Sequence, residues 1–171
     1  DPKARLEPVL PVTLLLHKPP GYDWLDGPKP ARDLLLPAGH WSGDRSPNRI
    51  VKRHLFEQVG VTPLEPGASG LLVFTQDWRI RRKLQEDAAR VEHEVIVDVT
   101  GDVTEAALRQ LNRAPVIDGR AMVPAKVSIS RQVDALTGLR FAVKGSLPGQ
   151  IAQMCTAAGL TVQGMKRIRI G

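Results

Sequence analysis

The stretch TPLEPGASGLLVFTQD, residues 62–77, joins a loop rich in proline and glycine to a run of apolar residues. The apolar run GLLVFTQD is bounded by turn-forming and polar residues, and this pattern predicts a buried β-strand. Glu65 lies in the loop just before the strand. A single loop carboxylate is usually solvated, so Glu65 needs further support before it can be assigned a chemical role. Ser69 lacks the Gly-x-Ser-x-Gly pattern of a nucleophile elbow, and no Gly-Lys-Ser/Thr follows as in a P-loop.

The composition is that of a globular protein, with 42% hydrophobic and 25% charged residues among 171. The single cysteine, Cys155, excludes an internal disulfide, and the four histidines lack metal-ligand spacing, so neither a disulfide framework nor a zinc site is predicted. No apolar run is long enough to span a membrane, and a reducing, cytoplasmic setting is the default expectation. The net charge of +6 permits an anionic partner such as nucleic acid.

Hydrophobic periodicity divides most of the chain into strands and helices. The predicted strands are VTLLLHK (12–18), GLLVFTQD (70–77), EHEVIVDVT (92–100), AKVSIS (125–130), LRFAVKG (139–145) and TVQGMKRIRIG (161–171). The predicted helices are ARDLLLP (31–37), WRIRRKLQED (78–87), VTEAALRQLN (103–112) and SLPGQIAQMCTAAG (146–159). Helices that interleave with antiparallel strand pairs predict an α+β fold.

Local signals refine these boundaries. Thr104 is the expected N-cap of its helix, and Thr137-Gly138 are expected to form the turn of a hairpin. In the helix that follows, Cys155 falls on the apolar face and is expected in the core. In the last strand, strict alternation places Ile168 on the packed side and Arg167 on a basic outer side.

Six segments follow one another in an order that carries a family resemblance: LLLHKPPG, ARDLLLP, VGVTPLEPGASGLLVFTQD, EHEVIVDVTG, VPAKVSIS and GQIAQMCTAAGLTVQGMKRIRIG. Together they resemble the RNA pseudouridine synthases of the RsuA/RluB/RluE/RluF group, and the last segment looks closest to RluF. The resemblance covers residues 12–171. Its most specific parts are SGLLVFTQD, the Lys-Pro-x-Gly turn at 18–21 and the pattern QIxxMCxxxG from Gln150 to Gly159.

The resemblance implies a catalytic domain at 12–171 with a central antiparallel sheet, flanking helices and an RNA cleft, preceded by an extended segment at 1–11. Members of the group isomerise uridine to pseudouridine in structured RNA, usually ribosomal, without a cofactor or metal. The target base must leave the helical stack to be reached. Relatives usually carry a small S4-type RNA-binding domain at the N-terminal side, and none is expected within these residues, so we expect weaker RNA affinity than in the group. We also expect a monomer.

Carried over position by position, the resemblance implies a degenerate active site. Glu65 stands where the group has its reactive aspartate, Val95 where it has a tyrosine, and Gly149 where it has an arginine that pairs with the aspartate. The extra methylene of Glu65 moves the carboxylate by about 1 Å, which can cost on the order of a hundredfold in rate. Val95 cannot stack on a base, a contact worth roughly 1–3 kcal/mol. Without an arginine at 149, nothing in the sequence orients the carboxylate.

These departures leave three hypotheses open. The sequence favours a pseudouridine synthase-like domain that is catalytically impaired and binds structured RNA, with ribosomal RNA as the expected partner. The first alternative is an active synthase that uses Glu65 in place of aspartate, and the second is a non-catalytic protein-interaction domain. The candidate RNA-binding residues are Lys18, Lys126, Arg167 and Arg169, which could equally be solvated charges at strand ends.

Overall fold

The computed structural model describes residues 8–145 and 147–171. Residues 1–7 of the predicted extended segment 1–11 lie outside the described part, as does Ser146, the first residue of the predicted last helix. The strands are β1 (Thr13–Lys18), β2 (Val59–Gly60), β3 (Ser69–Thr75), β4 (Glu92–Thr100), β5 (Val116–Ile117), β6 (Arg120–Ala121), β7 (Lys126–Val133), β8 (Leu136–Lys144) and β9 (Thr161–Ile170). The α-helices are α1 (Trp78–Glu86), α2 (Glu105–Leu111) and α3 (Gln150–Ala157), and short 3-10 helices lie at Ala31–Leu34, Pro37–Gly39, Lys52–Leu55 and Ala88–Arg90.

One mixed sheet organises the fold. Its strand order is β1-β3-β9-β4-β8-β7, with β2 also paired to β3, while β5 and β6 form a separate hairpin. All pairings in the large sheet are antiparallel except β3 with β9, which run parallel at Ser69 and Gly70. Gly70 has φ +104°, and a Cβ there would overlap the backbone of Arg167. Glycine is therefore required where β3 pairs with β9, which explains why the second residue of SGLL is a glycine.

The main core lies between one face of the sheet and helices α2 and α3. Val95, Val97 and Val99 alternate along β4 and pack with Leu111 of α2 and Cys155 of α3. On the opposite face, carboxylates of β4 form ion pairs with arginines of β7, β8 and β9. This alternation of apolar and charged residues is what a strand with one buried face requires.

A second, smaller core lies under the long loop that follows β1. Leu72 and Phe74 of β3 pack there with Ala31 of the first 3-10 helix, and Trp24 lies against them. Exposure alternates along β1 because one face of the strand packs on this core and the other faces solvent, where Leu15 is 69% exposed. The first predicted strand is therefore confirmed as a strand, but only its inner face is buried.

The remaining predicted elements are present, with local corrections. The predicted helix at 31–37 is a short 3-10 helix at Ala31–Leu34, and the predicted helix at 146–159 is an α-helix only at Gln150–Ala157. The hairpin turn is formed by Asp134-Ala135 rather than Thr137-Gly138, because Val133 pairs with Leu136 and both predicted turn residues lie inside β8. Helix α1 exists as predicted, but none of its residues is buried. No helix among the described residues is long and apolar enough to cross a membrane.

The prediction for the last strand was wrong about Arg167. Glu94 pairs with Arg169 and Val95 with Arg167, so a β-bulge at Ile168 interrupts the alternation of β9. Past a bulge, the side chains exchange faces. Arg167 is consequently buried on the same side as Val95, and Ile168 is 37% exposed.

Candidate active site

The three positions that the sequence singled out meet in one small cleft. Glu65 and Val95 both line it, together with Ile151 of α3 and Arg167 of β9. The backbone N–H of Gly149 donates a hydrogen bond to a carboxylate oxygen of Glu65. The residues are far apart in the chain, and the sheet together with the start of α3 brings them together.

Each side chain is placed by the element that carries it. Glu65 lies in the loop before β3, where its carbonyl accepts from the N–H of Ala68 at 3.0 Å in a tight turn. Val95 is on the core face of β4 and is 3% exposed. Gly149 is the N-cap of α3 and has φ +87°, a left-handed conformation that favours glycine. This conformation directs the amide of Gly149 toward Glu65.

The amide of Gly149 changes one expectation from the sequence. No arginine stands at 149, but the carboxylate is still oriented, because a backbone N–H at a helix N-terminus takes the place of a side-chain donor. The partial positive charge at the start of α3 acts in the same direction. Gly149 therefore contacts the Glu65 carboxylate through its backbone and not through a side chain.

Arg167 is buried directly behind the loop that carries Glu65. It is 2% exposed, and its guanidinium donates to the carbonyl oxygens of Leu71 at 2.8 Å, Pro63 at 3.0 Å and Thr62 at 2.9 Å. Burial lowers the pKa of Arg167 to about 10, while the Glu65 carboxylate acts to raise it. Its donors face protein carbonyls, so the predicted role of Arg167 as a phosphate contact is wrong in this structure.

Lys18 is corrected in the same way. It has no exposed surface, and its Nζ donates to the carbonyl oxygens of Pro19, Tyr22 and Pro66. Burial lowers the pKa of the Lys18 ammonium; Asp23 opposes this shift, Arg167 adds to it, and Glu65 opposes it. These hydrogen bonds join the Lys-Pro-x-Gly turn to the loop before β3. In this structure Lys18 therefore stabilises the loop, and its ammonium group does not face solvent, where RNA would bind.

The other two candidate RNA contacts differ from each other. Arg169 is half-buried and forms ion pairs with both Glu92 and Glu94. These hydrogen bonds raise the pKa of Arg169 above its ordinary value. Lys126 is exposed at the start of the edge strand β7. Of the four predicted contacts, Lys126 is the one whose charge faces solvent most fully.

Sequence reasoning missed His93, which lies on the same face of β4 as Val95. Its Nδ1 is buried and has no hydrogen-bond partner among the described residues. Burial, together with the nearby charges of Arg167 and Arg169, lowers the pKa of His93 to about 4. The ring is therefore neutral near pH 7. Alternation along β4 places it on the inner face, but nothing in the sequence indicated its cationic neighbours.

The cleft is narrow. Its volume is about 20 Å³, which is room for about one water molecule and not for a nucleobase. Leu147 and Pro148 form one wall, so a uracil ring enters only if the segment before α3 moves. Among residues 8–145 and 147–171, no group of three His, Cys, Asp or Glu side chains is placed to hold a metal ion.

Comparison with solved structures assigns the fold. A structure described as a pseudouridylate synthase superposes with a TM-score of 0.75 over 95% of this chain and 64% of that chain. The sequence identity is 16%, so this likeness concerns the fold. The chain therefore has the pseudouridine synthase fold, and the predicted α+β class is confirmed.

Comparison of sequences points the same way, although no protein-family model matches. The ribosomal large subunit pseudouridine synthase B of Vibrio cholerae is 30% identical over 125 residues, which are 72% of this chain and 39% of the relative. The protein of the same name from Pseudomonas aeruginosa is 30% identical over 129 residues, 72% of this chain and 32% of the relative. The chloroplastic protein SVR1 of Arabidopsis thaliana, whose description names a ribosomal large subunit pseudouridine synthase, is 28% identical over 164 residues. These residues are 94% of this chain and 39% of SVR1.

Fold and sequence thus both relate the chain to the pseudouridine synthase family. Two of these relatives are ribosomal large subunit pseudouridine synthases B and the third is SVR1, and a closer resemblance to RluF stays a prediction. The chain spans about two fifths of the length of these curated relatives, or less.

Proposed function

We propose that this chain is a pseudouridine synthase-type RNA-modification domain that binds structured RNA, with ribosomal RNA as its partner, and that its catalysis is impaired. The observation that carries the proposal is that Glu65 and Val95 line one cleft and that the Gly149 amide donates a hydrogen bond to Glu65. The resemblance puts an aspartate, a tyrosine and an arginine at these positions. The scaffold of the site is therefore intact, while its side chains differ from those of the family.

Two features of the cleft support impairment. The wall at Val95 offers no ring on which a flipped base can stack, and base stacking on an aromatic is worth roughly 1–3 kcal/mol. The cleft is also too small for a uracil unless Leu147 and Pro148 move. Both features weaken the binding of the flipped nucleotide before any chemical step.

A second candidate function, an active synthase that uses Glu65, is favoured by one specific observation. The Glu65 carboxylate is held by the Gly149 amide, and its loop is fixed from behind by the buried cations Lys18 and Arg167. A carboxylate placed by fixed donors is what nucleophilic or acid–base chemistry requires. Turnover by the unmodified protein distinguishes this candidate from the impaired domain.

The experiment measures tritium release from ribosomal RNA fragments that contain 5-tritiated uridine. The unmodified chain, the Glu65→Gln variant and the combined Glu65→Asp, Val95→Tyr variant are compared. Gly149→Arg is added in a separate variant, because φ +87° at this position strains any residue with a side chain. We expect no release by the unmodified chain and measurable release by a revertant that circular dichroism shows to be folded.

Release by the unmodified chain that disappears in Glu65→Gln would contradict impairment and establish the active synthase. An RNA-binding isotherm measured at several salt concentrations tests the partner. Binding that weakens steeply with salt supports phosphate contacts. Absence of RNA binding at low salt leaves the protein-interaction alternative. The cytoplasmic setting stays an expectation from the single cysteine.

A further inference from the structure

Two segments of the chain lie side by side at the end of β3 that is opposite the candidate active site. Val59 of β2 pairs with Thr75, the last residue of β3, so the chain before Val59 and the chain after Thr75 start from neighbouring positions. The side chain of Gln76 joins the two segments, because its Nε2 donates to the carbonyl oxygens of Arg53 at 2.9 Å and Phe56 at 2.7 Å. The 3-10 helix that carries Arg53 and the start of α1 therefore form one surface.

This surface, called the distal surface below, is well separated from the cleft at Glu65. Glu65 precedes β3, whereas Gln76 directly follows it. The 7 residues of β3 span ~20 Å at the rise of a β-strand. A ligand can therefore bind here without entering the cleft. The distal surface consists of Lys52, Arg53, Phe56, Trp78 and Arg81.

Two large aromatic side chains are exposed on the distal surface. Phe56 is 57% exposed, and Trp78, the first residue of α1, is 67% exposed. Successive residues of an α-helix are about 100° apart, so Trp78 lies on the side of α1 opposite Ile80, which is less exposed. A single exposed apolar residue is common, but two large aromatic rings on joined segments provide faces on which bases can stack.

Exposed cations accompany the two rings. Lys52 and Arg53 are exposed on the 3-10 helix, and Arg81 is exposed on α1. Arg81 follows Trp78 by three residues, a spacing at which side chains are neighbours on a helix surface. None of the three cations forms an ion pair with another described residue. Their charges are therefore available to an anionic partner.

The nearby carboxylates do not cancel this positive charge. Asp77 pairs with Arg79 at 2.9 Å and also accepts a hydrogen bond from the N–H of Arg79 at the start of α1. Further along the helix, Glu86 pairs with Arg82. Glu57 is exposed and, within the described ranges, has no ion pair either. One such carboxylate stands against three cations, so the distal surface keeps a positive charge.

We propose that the distal surface binds a single-stranded segment of RNA. The bases of a single strand are available to stack on Phe56 and Trp78, and its phosphates pair with the exposed cations. The bases of a duplex are already stacked on one another, so aromatic rings next to cations favour the single strand. The inference rests on the proposed function in one respect, namely that RNA is the partner of this chain.

The test measures the binding of a fluorescein-labelled oligocytidine of about eight nucleotides, a length that one small binding surface can cover, by fluorescence anisotropy. Cytidine is used because the proposed chemistry of the cleft concerns uridine, so the cleft does not contribute. A duplex of the same strand with oligoguanosine is the comparison. We expect saturable binding of the single strand and weaker binding of the duplex.

Aromatic variants locate the bases. Trp78→Ala and Phe56→Ala should each weaken binding of the single strand roughly five- to a hundredfold, the range expected for the loss of one stacked base. Val133→Ala is the matched control, because it shortens a similarly exposed apolar side chain on β7, at the opposite edge of the sheet. This control should bind like the parent. If Trp78→Ala does not fold, Phe56→Ala decides.

Cation variants locate the phosphates. Lys52→Gln and Arg81→Gln should each lower the slope of the logarithm of the binding constant against the logarithm of the salt concentration by about 0.7, the value for one phosphate contact with a single strand. Arg109→Gln is the matched control, because Arg109 is an exposed arginine on another helix, α2. Its salt dependence should equal that of the parent.

The proposal is overturned if the single strand does not bind, if the duplex binds as tightly, or if neither aromatic variant, shown to be folded by circular dichroism, weakens binding. Glu65→Gln, at the other end of β3, should leave the titration unchanged. If a structured ribosomal RNA fragment binds the parent while oligocytidine does not, the distal surface is refuted and the proposed RNA partner stands. The two proposals therefore fail or succeed separately.

Discussion

Arg167 and Arg169 lie two residues apart on β9 and have opposite environments. Arg167 is 2% exposed and donates to three backbone carbonyls, whereas Arg169 is half-buried and pairs with two carboxylates near the surface. The difference follows from the bulge at Ile168 between them. The same residue type therefore holds the candidate site together at one position and joins a surface ion-pair network at the other.

Replacement of Arg167 by methionine should be strongly destabilising. It leaves the carbonyl oxygens of Thr62, Pro63 and Leu71 without their donors. Each unsatisfied buried group costs ~1–3 kcal/mol, so the free energy of unfolding should fall by about 3 kcal/mol or more, as measured by urea denaturation. Arg169→Met is the matched control and should cost about 1 kcal/mol or less. Equal losses in the two variants would contradict the assigned roles.

Gly149 offers a second contrast within one residue type. A Cβ at Gly149 and one at Gly164 would each meet nothing within 4 Å, but only Gly149 has a positive φ. Gly149→Ala should therefore lower the free energy of unfolding by ~1–2 kcal/mol through backbone strain alone, while Gly164→Ala should have a smaller effect. Thermal unfolding of both variants checks this. If Gly149→Ala is neutral, the left-handed conformation at the start of α3 is not required.

At the scale of elements, helix α2 is fastened to the edge strand β7 by a single side chain. The Oδ1 of Asn112 accepts from the N–H of Val127 at 2.9 Å, and its Nδ2 donates to the carbonyl oxygens of Val127 and Leu108. These bonds satisfy backbone groups at the end of the helix and in the strand together. Periodicity predicted both elements, but it contained no information about this contact between them.

Asn112→Ala should lower the free energy of unfolding by about 2 kcal/mol, because the Val127 N–H and carbonyl lose their partner at once. Gln110→Ala is the control: its Nε2 donates only to the carbonyl of Ala157 at an exposed position, so the loss should be well under 1 kcal/mol. Chemical denaturation of both variants gives the comparison. If Gln110→Ala lowers the free energy of unfolding as much as Asn112→Ala does, the Asn112 hydrogen bonds contribute no more to stability than an exposed hydrogen bond does.

At the scale of the whole molecule, stability should depend on pH through His93. Burial, together with Arg167 and Arg169, lowers the pKa of His93 to about 4, whereas the unfolded chain titrates near the ordinary value of about 6.5. Between these two values the unfolded state binds the extra proton. The contribution of neutral His93 to the free energy of unfolding is therefore complete above pH 6.5 and is lost as the pH falls toward 4.

Urea denaturation at pH 7, 6 and 5 measures this decline, and His93→Gln should make it shallower. His17→Gln, at an exposed position of β1, is the control and should keep the parent's pH dependence. If His93→Gln and the parent decline in parallel over this range, His93 is not the group responsible.

Much of the architecture was predictable from local pattern. The alternation in EHEVIVDVT and the apolar run SGLLVF fix strands, and the capping residue Thr104 marks the start of α2, where its hydroxyl accepts from the N–H of Ala107. The alternation along β1 also indicates that Lys18 lies on the inner face of the strand, together with Leu14 and Leu16. The α+β class follows from these elements because each must bury one apolar face.

The sequence by itself determined most of the elements, because hydrophobic periodicity is a local property of the chain, while positions 65, 95 and 149 were predicted from the family resemblance. Only the tertiary structure decided how the residues at those positions are placed. The bulge on β9 turned Arg167 inward, the left-handed Gly149 aimed an amide at Glu65, and the parallel pairing of β3 with β9 brought these groups together. Each of these results depends on contacts between residues distant in the chain, which no local pattern encodes.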